Sequence, residues 1–158
     1  MAPIPFGVCA TVAEVLAADR SIRISHKAKG PGMHVLVLNK SGDRAAIEFL
    51  NGHMTVHRGA DLPVAALTND SYERSLQCLR EDRPPSFDPY SSITRFITAA
   101  KMVQRCRANS SDEMVAFAFD TLAAVALGRT QWRIVYDNQA MMVYYRTRAN
   151  FQLRYVDV

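Results

Sequence analysis

The sequence predicts an α+β fold in which antiparallel sheets are covered by helices. Strand-like segments form two blocks, one before and one after a block of helix-like segments, and strands grouped in this way favour antiparallel sheets over a doubly wound sheet. Asn51-Gly52, between two apolar segments, is typical of a two-residue hairpin. With 158 residues, 49% of them hydrophobic and 22% charged, the chain is long and apolar enough for a globular core.

The first half begins with a short helix and continues as strands. Thr11 and Glu14 have capping-box spacing, so they predict the start of a helix. The nearly continuous apolar run at His34–Leu38 predicts a strand buried on both faces. Further strand-like segments are Ser21–Ile24 (before the break at Gly30-Pro31-Gly32), Ala45–Leu50, His53–His57 and Val64–Leu67.

Three helices and three strands complete the predicted order. Asp70 or Ser71 precedes a helix over Tyr72–Leu79, which a Pro-rich loop at 83–89 ends. Ser92 precedes a second helix with an apolar stripe. Ser110 and Glu113 form a capping box for a third, with Gly128 as its C′ residue. The strands are Gln131–Tyr136, Met141–Thr147 and Phe151–Val158, the first two joined by a turn at Asp137-Asn138.

Composition argues against several classes of function. The net charge is +4, but no run of basic residues is present, so nucleic acid is not an expected partner. Cys9, Cys78 and Cys106 are far apart and form no CxxC pair, and no metal or other cofactor is predicted. No apolar run approaches the roughly 18 residues of a membrane span. The first residues lack signal-peptide features. For a fragment this absence carries no information about the parent protein, so the compartment of the complete protein, cytoplasm or periplasm, is left open.

Two patterns have a structural and a functional interpretation. His53 and His57 would lie about 13 Å apart on one strand, too far for one zinc ion, so two surface histidines are expected. The aromatic and basic residues between Tyr144 and Tyr155 could stack single-stranded bases. Half-buried strands with aromatic side chains inward and arginines in solvent are the favoured interpretation.

Asn69 and Arg95 are the candidate functional residues. Asn69 follows an apolar strand and precedes a helix, where its amide could donate a hydrogen bond to an oxyanion; a simple capping turn at Asn69-Asp70-Ser71 is the alternative that the residues alone favour. Arg95 lies near a helix start, opposite the apolar stripe. A cation there costs about 0.3–1 kcal/mol, which suggests an anionic partner. The alternative is a solvated arginine, which tolerates this cost.

Several segments, in order along nearly the whole chain, resemble the choloylglycine hydrolase family, which includes bile salt hydrolases and penicillin V acylases. The resemblance rests on the ordered set ATVAEV (10–15), DRAAIEFLNG (43–52), ALTND (66–70), SSITRF (91–96), TQWRIVYDN (130–138), MVYYRT (142–147) and LRYVDV (153–158). It implies an N-terminal-nucleophile hydrolase-like αββα sandwich and hydrolysis of linear amide C–N bonds. It also implies that Asn69 contributes to the oxyanion hole and that Arg95 lines the active site.

The departure from this family concerns the nucleophile. The family uses a cysteine at the mature N-terminus, whose free α-amine activates the thiol. Here the ATVAEV segment comes almost at the start, so residues 1–158 are expected to form a single choloylglycine-hydrolase-like domain that lacks its N-terminal portion. Cys9 precedes a helix rather than starting a strand, and so it is not expected to replace the nucleophile. The short stretch between Asn69 and Arg95 makes a bile salt substrate unexpected.

Two hypotheses follow. In the first, the chain is part of an amide hydrolase that acts on N-acyl amide or penicillin V-like substrates and is inactive alone. It is then either a subunit with a complementary N-terminal chain as its partner or a truncated product. In the second, it is a non-catalytic half-domain, a subunit or an oligomerising binding module. Exposed strand edges and apolar faces would then favour a homo-oligomer.

Overall fold

The computed structural model describes residues 9–21, 33–84 and 88–158. The chain divides into two compact units, Met1–Leu76 and Gln77–Val158. Apart from Ser21, the predicted strand at Ser21–Ile24 lies outside the described residues. The same holds for the break at 30–32 and for part of the Pro-rich loop. The single domain over 1–158 stays a prediction.

Four helices and six strands form the described part of the chain. The helices are α1 (Val12–Ala17), α2 (Tyr72–Arg80), α3 (Ser92–Arg105) and α4 (Ser111–Ala124). The strands are β1 (His34–Leu38), β2 (Arg44–Leu50), β3 (His53–Arg58), β4 (Trp132–Asp137), β5 (Met142–Thr147) and β6 (Arg154–Asp157). The predicted elements at these places are thereby confirmed to within a few residues. No helix of the described residues has the length and apolar character needed to cross a membrane.

The first unit is built on an antiparallel sheet in the order β1-β2-β3. Asn51 and Gly52 have φ of 52° and 81°, the two positive values that a type I′ hairpin requires, which confirms the predicted turn. One sheet face packs against α1, whose capping box of Thr11 and Glu14 is present. The core on that side consists of Val12, Val15, Ala45 and Ile47.

Two predictions about this unit are wrong. β1 is covered on one face only, because Val35 and Val37 pack against the core cluster whereas Leu36 and Leu38 are 40% and 54% exposed. Val64–Leu67 is not a strand. The Tyr72 hydroxyl donates to the Val64 carbonyl at 2.8 Å and accepts from the Val64 amide at 3.3 Å. The Tyr72 side chain thus supplies the hydrogen bonds that the Val64 amide and carbonyl would otherwise make to a neighbouring strand.

The second unit has an antiparallel sheet in the order β4-β5-β6, with α4 against one face. Ser91 caps α3 by accepting from the Thr94 amide at 3.1 Å, one residue before the predicted cap. Ser110 caps α4 as predicted, through the Glu113 amide. The prediction of Gly128 as C′ residue is wrong, because α4 already ends at Ala124.

Asp137 fixes the β4–β5 hairpin and links it to α4. Its Oδ1 accepts from the amides of Ala140 at 2.9 Å and Gln139 at 3.0 Å, and its Oδ2 accepts from Ser111 Oγ at 2.5 Å. These bonds, the Ala140 amide first, lower the Asp137 pKa from its ordinary value of 3.8. The carboxylate form therefore stabilises the folded state.

Replacing Asp137 with asparagine is expected to flatten the acid limb of the stability profile. A carboxyl with a depressed folded-state pKa contributes stability above its unfolded pKa and loses it as pH falls through the folded value. The wild type should therefore be more stable than Asp137→Asn at neutral pH, with the difference shrinking below about pH 4. Urea unfolding between pH 2 and 7 measures this; a difference that stays constant with pH would contradict it.

Candidate active site

Glu48 is a buried carboxylate at the centre of the first unit, on the sheet face opposite α1. Its side chain is 2% exposed. The Tyr72 amide donates to both carboxylate oxygens at 3.1 Å. His57 Nε2 lies 3.2 Å from Oε2, and His34 Nδ1 lies 3.8 Å from Oε1. The carboxylate thus has partners from two neighbouring strands and from the start of α2.

The position of Glu48 follows from the needs of a helix start. The first amides of a helix have no partner within the helix, and the helix dipole places partial positive charge there. Glu48 supplies an acceptor and a negative charge at Tyr72, the first residue of α2. Asp70, one of the two predicted caps, accepts from the Ser71 amide at 2.9 Å and pairs with Arg74 at 3.3 Å.

The expectation of two surface histidines is wrong for His57. Its side chain is 17% exposed, and its ring centroid lies 4.7 Å from that of Tyr72. His53, at the hairpin, is exposed. Sequence reasoning missed the cluster of Glu48, His34 and His57; the available signal was one acidic residue inside the apolar strand Ala45–Leu50.

Asn69 lies at the mouth of a small cavity beside this cluster. The cavity has a volume of about 40 Å³ and is lined by Met33, His34, Glu48, Leu50, Asn69, Asp70 and Ser71. This volume holds a few water molecules and is too small for a substrate. Asn69 itself is exposed, on the short segment that joins the Val64–Leu67 region to α2.

Arg95 belongs to the second unit, on the first turn and a half of α3. It is half-buried, and its Nε donates to the Tyr90 carbonyl oxygen at 3.3 Å. Burial, followed by the positive charge of Arg129, lowers the Arg95 pKa. Asn69 and Arg95 lie in different units, and each is therefore placed within its own unit.

The described cysteines do not form a reactive centre. Cys9, Cys78 and Cys106 are all free and partly buried. Cys9 packs against the core cluster beneath α1. Among residues 9–21, 33–84 and 88–158, no group of three or more His, Cys, Asp or Glu residues is arranged to hold a metal ion.

The second sheet departs in part from the predicted placement of its aromatic and basic side chains. The Arg146 guanidinium lies 4.7 Å from the centroid of the Phe119 ring of α4, on the covered side of the sheet. On the other side, Trp132 and Tyr136 are 65% and 64% exposed. The expectation of aromatics inward and arginines in solvent is therefore wrong for Arg146, whereas Arg148 and Arg154 are exposed as expected. We call this exposed side the outer face; it carries Trp132, Ile134, Tyr136 and Val156.

The helices and antiparallel sheets of the described residues confirm the predicted α+β fold class, and the solved structures that share this fold are longer than the chain, in agreement with a fold that is incomplete here. The chain is similar to the penicillin V acylase from Agrobacterium tumefaciens, with a TM-score of 0.73 and 20% identity, over 95% of this chain and 52% of that one.

Two variants of the conjugated bile acid hydrolase from Clostridium perfringens are also similar. One gives a TM-score of 0.69 at 16% identity over 96% of this chain and 59% of that one. The other gives 0.60 at 15% over 78% and 49%. The chain spans about half the length of the solved structures that it matches. No protein-family model and no curated protein matches the sequence. At these identities the likeness establishes the fold.

Proposed function

We propose that this chain is part of an amide hydrolase that cleaves linear C–N bonds of N-acyl amide or penicillin V-like substrates. The main support is its likeness, over 95% of its length, to a penicillin V acylase. The position of Asn69 on an exposed segment beside a buried, hydrogen-bonded carboxylate is the second support.

In the proposed reaction a cysteine thiolate attacks the amide carbonyl carbon. The carbonyl π electrons move to oxygen, and the C–N bond then breaks as the leaving nitrogen takes up a proton. Water attacks the resulting thioester, releases the carboxylic acid and restores the thiol. We assign the cysteine to a segment or chain outside these 158 residues, because Cys9 packs into the α1 core.

Asn69 is proposed to stabilise the oxyanion of both steps. Its side-chain amide would donate to the substrate oxygen as negative charge develops there. Such a donor must be held in place before the reaction. The segment after Asn69 is anchored where the Tyr72 amide binds Glu48, and the segment before it is anchored where the Tyr72 hydroxyl binds Val64. Both anchors come from one buried tyrosine.

Arg95 is proposed to position an anionic or polar part of the substrate. Its guanidinium is partly desolvated, which strengthens an interaction with an anion relative to the same contact in water. Of its donors, Nε is engaged with the Tyr90 carbonyl, which orients the guanidinium plane.

The test is hydrolysis of penicillin V and N-acyl amino acids by the chain alone and by the chain co-expressed with a complementary chain that begins with cysteine. We expect no turnover by the chain alone and turnover by the pair. An alanine in place of the partner's first cysteine serves as control and should abolish activity. Robust turnover by the chain alone would show that the nucleophile is among these 158 residues.

A non-catalytic subunit or oligomerising module is the second candidate function. The observation that favours it is the outer face, where Trp132, Ile134 and Tyr136 are exposed in one row along β4. Contiguous apolar surface of this kind marks an interaction site. Light scattering distinguishes the candidates: a homo-oligomer that stays inactive with every complementary chain supports the module, and a stable monomer opposes it.

A further inference from the structure

Two arginines lie directly opposite each other on the covered face of the second sheet. Arg133 of β4 and Arg146 of β5 are register partners. The contact of Arg146 with Phe119 places this face toward α4. Like charges directly opposite across a pair of strands destabilise the pair. The arrangement therefore favours a bound negative charge.

Each arginine has one buried donor, Nε, without a partner within the part of the chain that the structure describes. Nε of Arg133 and Nε of Arg146 are both buried and have no hydrogen-bond partner there. The ion pairs found among the described residues involve other cations. A buried guanidinium N–H without an acceptor is unfavourable, and the ring of Phe119 compensates only Arg146.

A cavity of about 230 Å³ opens beside the two arginines. Its described lining contains a third arginine, Arg148, and no acidic residue. Trp132 and Phe151, both largely exposed, also belong to the lining. The volume is below the roughly 300 Å³ at which drug-sized pockets begin, so a small ligand fits it best.

We propose that this cavity is a carboxylate-binding site in which Arg133 and Arg146 hold the carboxylate and the group attached to it lies toward the part of the lining formed by Trp132 and Phe151. The planar fork of a guanidinium matches the two oxygens of a carboxylate. Two sources supply this chemistry: a free small aromatic acid, and the side chain of an aspartate or glutamate from another protein segment. The site does not depend on the proposed amide hydrolysis.

Fluorescence of Trp132, the single tryptophan of the chain, reports on the cavity directly. Titration of the purified chain with sodium benzoate should give a saturable change, absent with sodium chloride at the same ionic strength and with neutral benzamide. Arg146→Gln should raise the Kd about tenfold or more, the effect of losing one charge-assisted hydrogen bond. If this variant does not fold, Arg146→Lys, which keeps the charge and loses the fork, should raise the Kd as well.

Arg154→Gln is the matched control, because Arg154 is exposed on β6 and does not line the cavity. Its Kd should equal that of the wild type. If Arg154→Gln and Arg146→Gln weakened benzoate binding equally, the loss would reflect the net charge of the chain rather than a local contact. That result would overturn the proposed site. A missing saturable signal, equal binding of benzamide, or equal binding of inorganic phosphate would each overturn the assignment to a carboxylate.

Thermal unfolding of Arg133→Gln supplies an independent measurement. Without ligand at low salt, removal of one of two opposed charges should leave the Tm unchanged or raise it by about 1–4 °C. A lower Tm would show that Arg133 is already satisfied and would contradict the proposal. Titration with N-acetylglutamate N-methylamide then separates the sources: binding as tight as that of benzoate favours a protein side chain, and weaker binding favours a free aromatic acid.

Discussion

Glu48→Ala is expected to destabilise the chain by about 3 kcal/mol, which corresponds to a fall in Tm of about 10 °C. The change leaves the Tyr72 amide without its acceptor at a buried helix start and removes the partner of His57. Removing one member of a buried polar group costs this much because the remaining members stay desolvated. Urea unfolding measured by far-UV circular dichroism gives the free energy.

Two variants separate the causes of that loss. Glu48→Gln keeps an acceptor for the Tyr72 amide and removes the charge, so it should lose less than Glu48→Ala. Glu73→Ala changes an exposed glutamate in the first turn of the same helix and should cost less than about 1 kcal/mol. A Glu48→Ala protein as stable as the wild type would show that the cluster does not support α2.

Under the proposed amide hydrolysis, with the chain reconstituted beside the proposed cysteine-bearing partner, Asn69→Ala is expected to lower kcat about 10²- to 10³-fold with a much smaller change in KM. This is the cost of removing one hydrogen-bond donor to an oxyanion, since the interaction is stronger in the transition state than in the ground state. Initial rates with penicillin V or an N-acyl amino acid measure it, with the chain reconstituted beside its cysteine-bearing partner.

Asn109→Ala is the matched control, because Asn109 is an exposed asparagine that precedes the start of α4. Its kcat should not change. Unfolding of Asn69→Ala should match the wild type, since Asn69 is exposed. An Asn69→Ala enzyme with unchanged kcat would rule out the oxyanion role, and one with lost stability would indicate the simple capping turn.

Local sequence patterns predicted the secondary structure well where neighbours in sequence decide it. The capping box at Thr11 and the Asn51-Gly52 turn depend on residues within four positions of one another, and both are confirmed. The apolar character of β1 did not show which of its faces would be covered. Covering depends on the elements that pack against the sheet, and the place of β1 at its edge depends on the other strands.

The candidate site was harder to predict, because its contacts join distant parts of the chain. Glu48 meets Tyr72 across 24 positions, and no local pattern links an acidic residue in a strand to a helix start that far away. Tyr72 likewise hydrogen-bonds through its hydroxyl to the backbone of Val64, in a segment where a strand was predicted. The sequence predicted Asn69 as a candidate from its place before a helix. The buried carboxylate of Glu48, which lines the same small cavity, was visible only in three dimensions.

The outer face of the second sheet bears on how fast the chain is degraded in a cell. Exposed Trp132, Ile134 and Tyr136 resemble the apolar surface that chaperones and proteases use to recognise unfinished proteins. Unless a partner covers this face, the chain should turn over rapidly, and its abundance should follow the supply of that partner. Expression levels with and without candidate partners would then reveal the partner before any activity is measured.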